Sequence, residues 1–365
     1  VISPFDGIKI QQKLLSSEIR KELSVVGKSC QFIGGPGVEK LERDLASFVG
    51  TRKAIACASG TDALILALRA LNIGQGDTVV TTPMTFAATA EAICLVGATP
   101  IFVDIDPVHW TLDPESVAGF ANATTKCIIA VDLFGQPCDY QGLSKLGVII
   151  EDAAQSLGAA YHGRKAGNLG VIGCTSFYPT KVLGCWGDGG MCFTNSLDYA
   201  TQIRLLARHG EVTRQEHVLV GMNSRLDAIQ AAILNVKFRY LVKEVEVRNK
   251  VASWYKTLLQ GSGLTLPQVR IGSMSAWPIY SVLAESPTDR VRFQGKLLKD
   301  GIPTDIFYRK PLHLQKAFAH LGYKKGDLPI SEDIADRIFT LPIHPYMDYK
   351  DCLRVADSIH SWRRV

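Results

Sequence analysis

A single lysine, Lys181, sits in a Pro/Gly-rich turn between two apolar runs, Gly170 to Cys174 and Met191 to Phe193. The stretch from Cys174 to Asn195 reads C-T-S-F-Y-P-T-K-V-L-G-C-W-G-D-G-G-M-C-F-T-N. Desolvation disfavours the ammonium form of a lysine held between buried strands, so such a lysine can offer a neutral amine to a carbonyl. The same spacing also suits a surface lysine on a hairpin. A second stretch bears on the choice: Val148 to Gln155, V-I-I-E-D-A-A-Q, is a short apolar strand ending in two carboxylates. Asp152 lies 29 residues before Lys181, about one strand-loop-strand excursion, so the two can meet in space. A carboxylate at the end of a buried strand is costly unless a cation pairs with it, and a protonated pyridine nitrogen would serve. A Schiff-base lysine with an aspartate on a pyridinium is the arrangement of pyridoxal phosphate chemistry.

These residues need a scaffold that brings strand ends together. Lys53 to Cys57 reads as a short strand, and Ala58-Ser59-Gly60-Thr61 opens a helix over Asp62 to Leu71. Strand, glycine turn and helix N-terminus together turn free backbone N–H groups and the helix dipole toward an anion. Capping by Ser59 or Thr61 is an equally good account of their hydroxyls. A β-α rhythm follows, with strands at Thr78 to Thr82, Thr99 to Asp104, Thr125 to Val131 and Val148 to Glu151, and a helix over Ala87 to Val96. Near-continuous apolar strands joined by helical crossovers predict a mostly parallel sheet covered on both faces, with the site at the strands' carboxyl ends. Upstream, helical spacing surrounds Leu14, Ile19 and Leu23. Phe32-Ile-Gly-Gly-Pro-Gly then breaks the chain before a helix over Val38 to Val49. No strand leads into that glycine break as a dinucleotide fingerprint requires, so it reads as an elbow. After the lysine turn come a helix over Ala200 to Ala207, the segment G-M-N-S-R-L-D from Gly221, and a long helix with Ile229, Ala232, Ile233 and Val236 on one face. From Val245 onward the elements shorten, at Pro278 to Leu283, Asp289 to Lys299 and Ile302 to Tyr308. The expected division is 1–240, an N-terminal arm with the larger domain, and 241–365, a small C-terminal domain joined by the long helix.

Composition narrows the function classes. At 365 residues and 47% hydrophobic, the chain can bury a large core in two domains. Its net charge of +5 is mild and shows no Lys/Arg block or basic helix stripe, which argues against nucleic acid but suits a diphosphate substrate. The nine cysteines are odd in number, show no C-x-x-C pair and mostly sit in apolar runs, as expected of reduced thiols in a cytoplasmic protein. No apolar run reaches the roughly 20 residues of a bilayer span, and no basic-then-apolar leader opens the chain. The first residue is Val rather than Met, which suggests a trimmed or incomplete N-terminus. His313 and His344 lack metal-ligand spacing, so no metal is expected.

S-F-Y-P-T-K-x-L-G-x-x-G-D-G-G, E-D-A-A-Q, A-S-G-T-D-A-L and G-M-N-S-R-L-D, in that family's arrangement from about Phe32 to about Met347, resemble the DegT/DnrJ/EryC1/StrS nucleotide-sugar aminotransferases. The resemblance implies the aspartate aminotransferase type of fold (α/β, fold type I) and pyridoxal 5'-phosphate as cofactor. It also implies a homodimer whose subunits share their active sites. By resemblance, Lys181 binds the cofactor and shuttles the proton, Asp152 keeps the ring nitrogen protonated, and Phe86 stacks on the ring. Gln155 hydrogen-bonds near the ring oxygen, while Gly60, Thr61 and Ser176 hold the phosphate. Asn223 reaches the cofactor phosphate of the neighbouring subunit, and Phe307, Tyr308 and the run containing His313 face the substrate. Arg225 carries a sharper reading, since a guanidinium binds a carboxylate in bidentate fashion and can read the acid of a uronic sugar. An arginine near phosphate, or in an ion pair at a helix start, is the plainer reading. Arg204, Arg208 and His209 suit a diphosphate or a solvated helix end.

Within the family, A-R-H-G at Ala207 followed by V-G-M-N-S-R-L-D most resembles the 3-aminotransferases of UDP-2-acetamido-2-deoxy-3-oxo-glucuronate, which serve bacterial surface polysaccharides. The implied reaction takes an amino group from an amino acid, by family habit glutamate, and delivers it to the keto-sugar. Another UDP- or dTDP-linked 3- or 4-keto sugar is the alternative substrate, and a non-catalytic sensor or regulator on the same fold is the alternative class. A plain NAD-binding oxidoreductase is disfavoured because no G-x-G-x-x-G follows the first strand.

Overall fold

The computed structural model describes residues 6–120 and 125–362. At its centre, seven strands form one sheet: β1 (Lys53–Cys57), β2 (Thr78–Thr81), β3 (Thr99–Phe102), β4 (Thr125–Val131), β5 (Ile149–Asp152), β6 (Ile172–Ser176) and β7 (Gly190–Thr194). Their spatial order is β1-β7-β6-β5-β4-β2-β3. The pairs from β6 through β3 are parallel, and β7 alone runs antiparallel to both its neighbours. This is the fold-type-I α/β architecture, with crossover helices that bury both faces and explain the alternation-free apolar strands. One apolar cluster packs Leu41, Leu45, Val80, Ile128 and Phe193 on one face; another packs Leu64, Leu68, Val79, Ile129 and Ile150 on the other.

Three helices matter for the site. Helix α1 (Asp6–Ser29) packs on α2 (Ala228–Phe238) through Leu15, Ile19, Ile233 and Val236. The buried stripe of α1 therefore runs through Leu15, Ile19 and Leu23, whereas Leu14, expected on it, is 63% exposed. The long helix anticipated after Asp227 is two: α2 ends at Phe238, and α3 (Leu241–Leu258) starts after a break at Arg239 and Tyr240. Ile229, also expected on a buried face, is exposed.

From the second half of α3 onward a separate apolar cluster forms around Val251, Tyr255, Val282, Phe293, Phe339 and Val355. It covers a two-stranded antiparallel sheet, β8 (Tyr280–Leu283) with β9 (Ile338–Leu341). Residues 302–308 are not a strand. Pro303 has no N–H to give a ladder, and pairing with β9 is confined to Asp305 and Thr340, whose backbone bond is 2.8 Å. Seven cysteines are buried, Cys94 is half-buried, Cys30 is exposed, and all nine are free thiols. Among the described residues no helix is long and apolar enough to cross a membrane.

Candidate active site

The lysine turn is the connection of a hairpin, β6 to β7, with Cys174 opposite Cys192 in register. Its tightness has an identifiable cause at Gly184: a Cβ there would lie 2.5 Å from the Pro179 carbonyl oxygen, so only glycine lets the loop fold back on itself. The loop is then pinned from α2. Lys237 Nζ donates to the Gly184 carbonyl at 2.7 Å, and the Trp186 N–H donates to Gln230 Oε1 at 2.9 Å. Lys181 itself is half-buried and lines a cavity of about 590 Å³. The hairpin reading was thus right about the connection, but this lysine is not a surface group. Desolvation pushes its pKa down, and the nearby Asp152 carboxylate pulls the other way.

Asp152 ends β5 beside Cys174 of β6, so parallel pairing puts it next to the strand that feeds the lysine turn. It is 6% exposed, and its oxygens accept from the Thr89 hydroxyl at 2.9 Å and the Ala154 N–H at 3.2 Å. Burial raises its pKa; those two donors and Lys181 oppose the rise. Thr89 belongs to the first turn of a helix over Ala88–Leu95 and shares a 2.9 Å hydroxyl bond with Thr85. This Thr85–Thr89–Asp152 relay was not anticipated, although Thr85 and Thr89, four apart across a helix start, were a usable signal. Phe86, between them in sequence, is 60% exposed and lines the cavity, with no ring of the described residues packed over it.

A helix over Gly60–Ala70 points its N-terminus at the same cavity. Ser59 is its N-cap, accepting from the Asp62 N–H at 3.0 Å, so the capping account holds for Ser59. The first amides of a helix have no partner within it, which leaves Gly60 and Thr61 as donors toward the cavity. A Cβ at Gly60 would sit 2.7 Å from the Ser176 Cβ, so glycine is what allows Ser176 to close against the helix start. Ser59, Gly60, Thr61 and Ser176 thereby form a concave, donor-rich corner suited to a phosphate.

The opposite wall comes from Gln11, Glu244, Arg248, Phe307, Tyr308, His344 and Tyr346. Glu244 accepts from Gln11 Nε2 at 2.8 Å and from the Tyr346 hydroxyl at 2.6 Å. Gln155 spans the walls: its Oε1 accepts from the Phe134 N–H at 2.8 Å and its Nε2 donates to the Tyr308 hydroxyl at 3.2 Å. Glu244 and Arg248 were missed because nothing in their local sequence marks them, whereas Tyr346 ends the L-P-I-H-P-Y run that resembles the family's closing motif but was given no role.

His313, Asn223, Arg225 and Arg204 lie outside the cavity lining. His313 is 1% exposed, with Nε2 held 3.1 Å from the Glu332 carboxylate. Asn223 and Arg225 alternate with buried Ser224 and Leu226 and are exposed. Arg204 is engaged by Glu42 through two bonds of 2.7 Å, which removes it as a diphosphate ligand.

The residues fit pyridoxal phosphate on geometric grounds: a buried carboxylate with neutral donors only, a desolvated lysine in the same cavity, an uncovered aromatic ring and a donor-rich corner. Comparison with known proteins agrees. The family described as DegT/DnrJ/EryC1/StrS aminotransferase matches residues 13–360. A Pseudomonas aeruginosa protein named UDP-2-acetamido-2-deoxy-3-oxo-D-glucuronate aminotransferase is 42% identical over 349 residues, 94% of this chain and 96% of its own. A Geobacillus stearothermophilus protein named pleiotropic regulatory protein is 40% identical, covering 99% of this chain and 98% of its own. The solved structure of S. venezuelae DesV superposes with a TM-score of 0.95 at 35% identity, covering 98% of this chain and 97% of that one.

Proposed function

The chain belongs to the DegT/DnrJ/EryC1/StrS family and is a pyridoxal-phosphate-dependent sugar aminotransferase; we propose that it moves the amino group of glutamate to the 3-keto position of UDP-2-acetamido-2-deoxy-3-oxo-glucuronate. The product would enter bacterial surface polysaccharide. The observation that carries the reading is Lys181 and Asp152 in one cavity beside a phosphate-shaped corner, in a chain 42% identical to a protein named for that reaction.

When bound, pyridoxal phosphate supplies an electron sink for the pair left on carbon as a proton departs. The corner of Gly60, Thr61 and Ser176 would anchor the phosphate, and Phe86 would offer an apolar face to the ring. Asp152, its carboxylate held by Thr89, would favour a positive charge at the ring nitrogen. Lys181 would hold the cofactor, and its Nζ, once neutral, is placed to accept a proton from the donor's α-carbon and to give one back. Desolvation favours that neutral amine, in the sense a general base near neutral pH requires.

Phe307 and Tyr308 line the sugar's side of the cavity. Asn223 and Arg225 act on a neighbouring copy, Asn223 at the cofactor phosphate and Arg225 at the uronic carboxylate. Their exposure outside the single chain's cavity supports a shared homodimeric site. Nine free thiols suit the reducing cytoplasm as the place of work. A purely regulatory role, suggested by the name of the Geobacillus relative, leaves the paired Lys181 and Asp152 without a task. The test is incubation with glutamate and the 3-oxo uronate, followed by mass analysis: a 3-amino sugar product supports the reading, and its absence with a different UDP- or dTDP-keto sugar aminated instead overturns the substrate.

A further inference from the structure

The cavity lining contains two Lys or Arg side chains among the described residues, Lys181 and Arg248. Lys181 is committed to the cofactor in the reading above. Arg248 has no such employment. It lies on α3 at 9% exposure, and Nη1 donates to the Trp277 carbonyl at 3.0 Å and the Ile343 carbonyl at 3.4 Å. Its Nε has no hydrogen-bond partner among the described residues, and the Glu244 carboxylate favours its charge through space without bonding to it. Glu244, one turn earlier, is already engaged by Gln11 and Tyr346.

A buried guanidinium served by neutral carbonyls is an expensive arrangement for structure alone. Burial does pull its pKa down, to about 10, which still leaves it protonated at neutral pH. His344 on the same wall is pushed down to about 4 by burial and by Arg248, so it is neutral there and cannot serve an anion as a second cation. The wall therefore offers the cavity one positive charge, fixed in place by its bonds to the Trp277 and Ile343 carbonyls. A guanidinium is complementary to a carboxylate.

We propose that Arg248 binds the α-carboxylate of the amino-acid donor during the first half-reaction. This rests on the aminotransferase reading of the cavity. Every α-amino acid must bring a carboxylate into the space where its amine reacts, and Arg248 is the cation left to receive it. The uronic sugar also carries a carboxylate, and the two sources are separable because the half-reactions can be run apart.

The experiment uses the cofactor-loaded protein and measures each half-reaction alone in wild type, Arg248→Lys and Arg248→Gln. Cofactor loading is scored separately by borohydride reduction and mass, and binding of glutarate, a non-reacting dicarboxylate, by calorimetry. The expected result is normal loading, with the KM for glutamate raised roughly 10- to 100-fold in Arg248→Gln, as a charge-assisted hydrogen bond would give. Glutarate binding should weaken in parallel, Arg248→Lys should recover part of the loss, and the KM for the keto-sugar should stay unchanged. An unchanged KM for glutamate, or a keto-sugar KM that rises as much or more, overturns the proposal. Should the variants fail to fold, wild type decides: glutamate 1-amide must be a far poorer donor than glutamate, and equal use of the two contradicts the assignment. Failure of cofactor loading in wild type itself would instead defeat the aminotransferase reading.

Discussion

The two walls of the cavity differ in how their polar groups are provisioned. The wall of Ser59–Thr61, Asp152, Ser176 and Lys181 is built from strand ends and one helix start, and it leaves charge without a charged partner bonded to it. Asp152 has a hydroxyl and an amide, and Lys181 is desolvated. The facing wall is largely self-satisfied, with Glu244 bonded by Gln11, 233 residues away, and by Tyr346. Arg248 is its exception. The contrast teaches where an external group is expected: a fold leaves a buried polar atom under-served where something else completes it.

The comparison can be broken most severely at Lys181. Lys181→Ala is expected to give no borohydride-fixed adduct and to lower turnover by roughly 10⁴-fold or more, since both attachment and proton transfer go with it. A trapped adduct in this variant would remove the first wall's central residue from the chemistry. Asp152→Asn should come next, with turnover reduced by roughly 10²-fold or more in a protein that still folds. Because burial makes the Asp152 charge unfavourable in the folded chain, the cofactor-free variant should melt at the same temperature as wild type or higher. A large fall in that temperature would mean that the carboxylate is structural.

Smaller effects sharpen the contrast. Arg225→Lys should lose about tenfold in preference for the uronic acid over the corresponding neutral hexose, measured as a ratio of kcat/KM. No change in that ratio would retire Arg225 as the reader of the acid. Ser59→Ala should cost about 1 kcal/mol in unfolding free energy and weaken cofactor affinity a few-fold, because the cap also sets the helix start that faces the phosphate.

A pH effect belongs to neither wall. Asp132 is fully buried, accepts from Tyr140, Ser156 and the Cys138 N–H, and is pushed up to about 7 chiefly by desolvation. Its folded pKa lies above that of the unfolded chain, about 3.9. The native state thus holds this proton more tightly, so the contribution to stability is complete below about pH 4 and is lost as pH rises toward 7. Asp132→Asn should flatten that part of the stability profile; an unchanged slope in chemical denaturation would place the proton elsewhere.

Legibility from sequence followed the same division. Lys181, Asp152 and the Ser59–Thr61 start could be read because each sits in a contiguous motif whose local physics points to a site: a strand ending in charge, a turn that only Gly184 permits, a helix opening after a strand. The sheet was legible through its apolar runs, with element ends displaced by a residue or two. Glu244 and Arg248 could not be read, and Tyr346 could be read only as the end of a motif, because their meaning comes from packing α1, α3 and the segment after β9 against one another. Helix phase also escaped: Leu14 and Ile229 fit an apolar period, yet the neighbouring positions met the partner helices. The setting of His313 was hidden for a related reason, since the Glu332 carboxylate that holds its ring comes from 19 residues away.

The most direct measurement is the visible absorbance of the cofactor-loaded protein, first with glutamate alone and then with keto-sugars added one at a time. The account predicts a band that glutamate bleaches and that UDP-2-acetamido-2-deoxy-3-oxo-glucuronate restores in a single turnover. A protein that shows no band after soaking in pyridoxal phosphate, or a band that glutamate leaves unchanged, would contradict it.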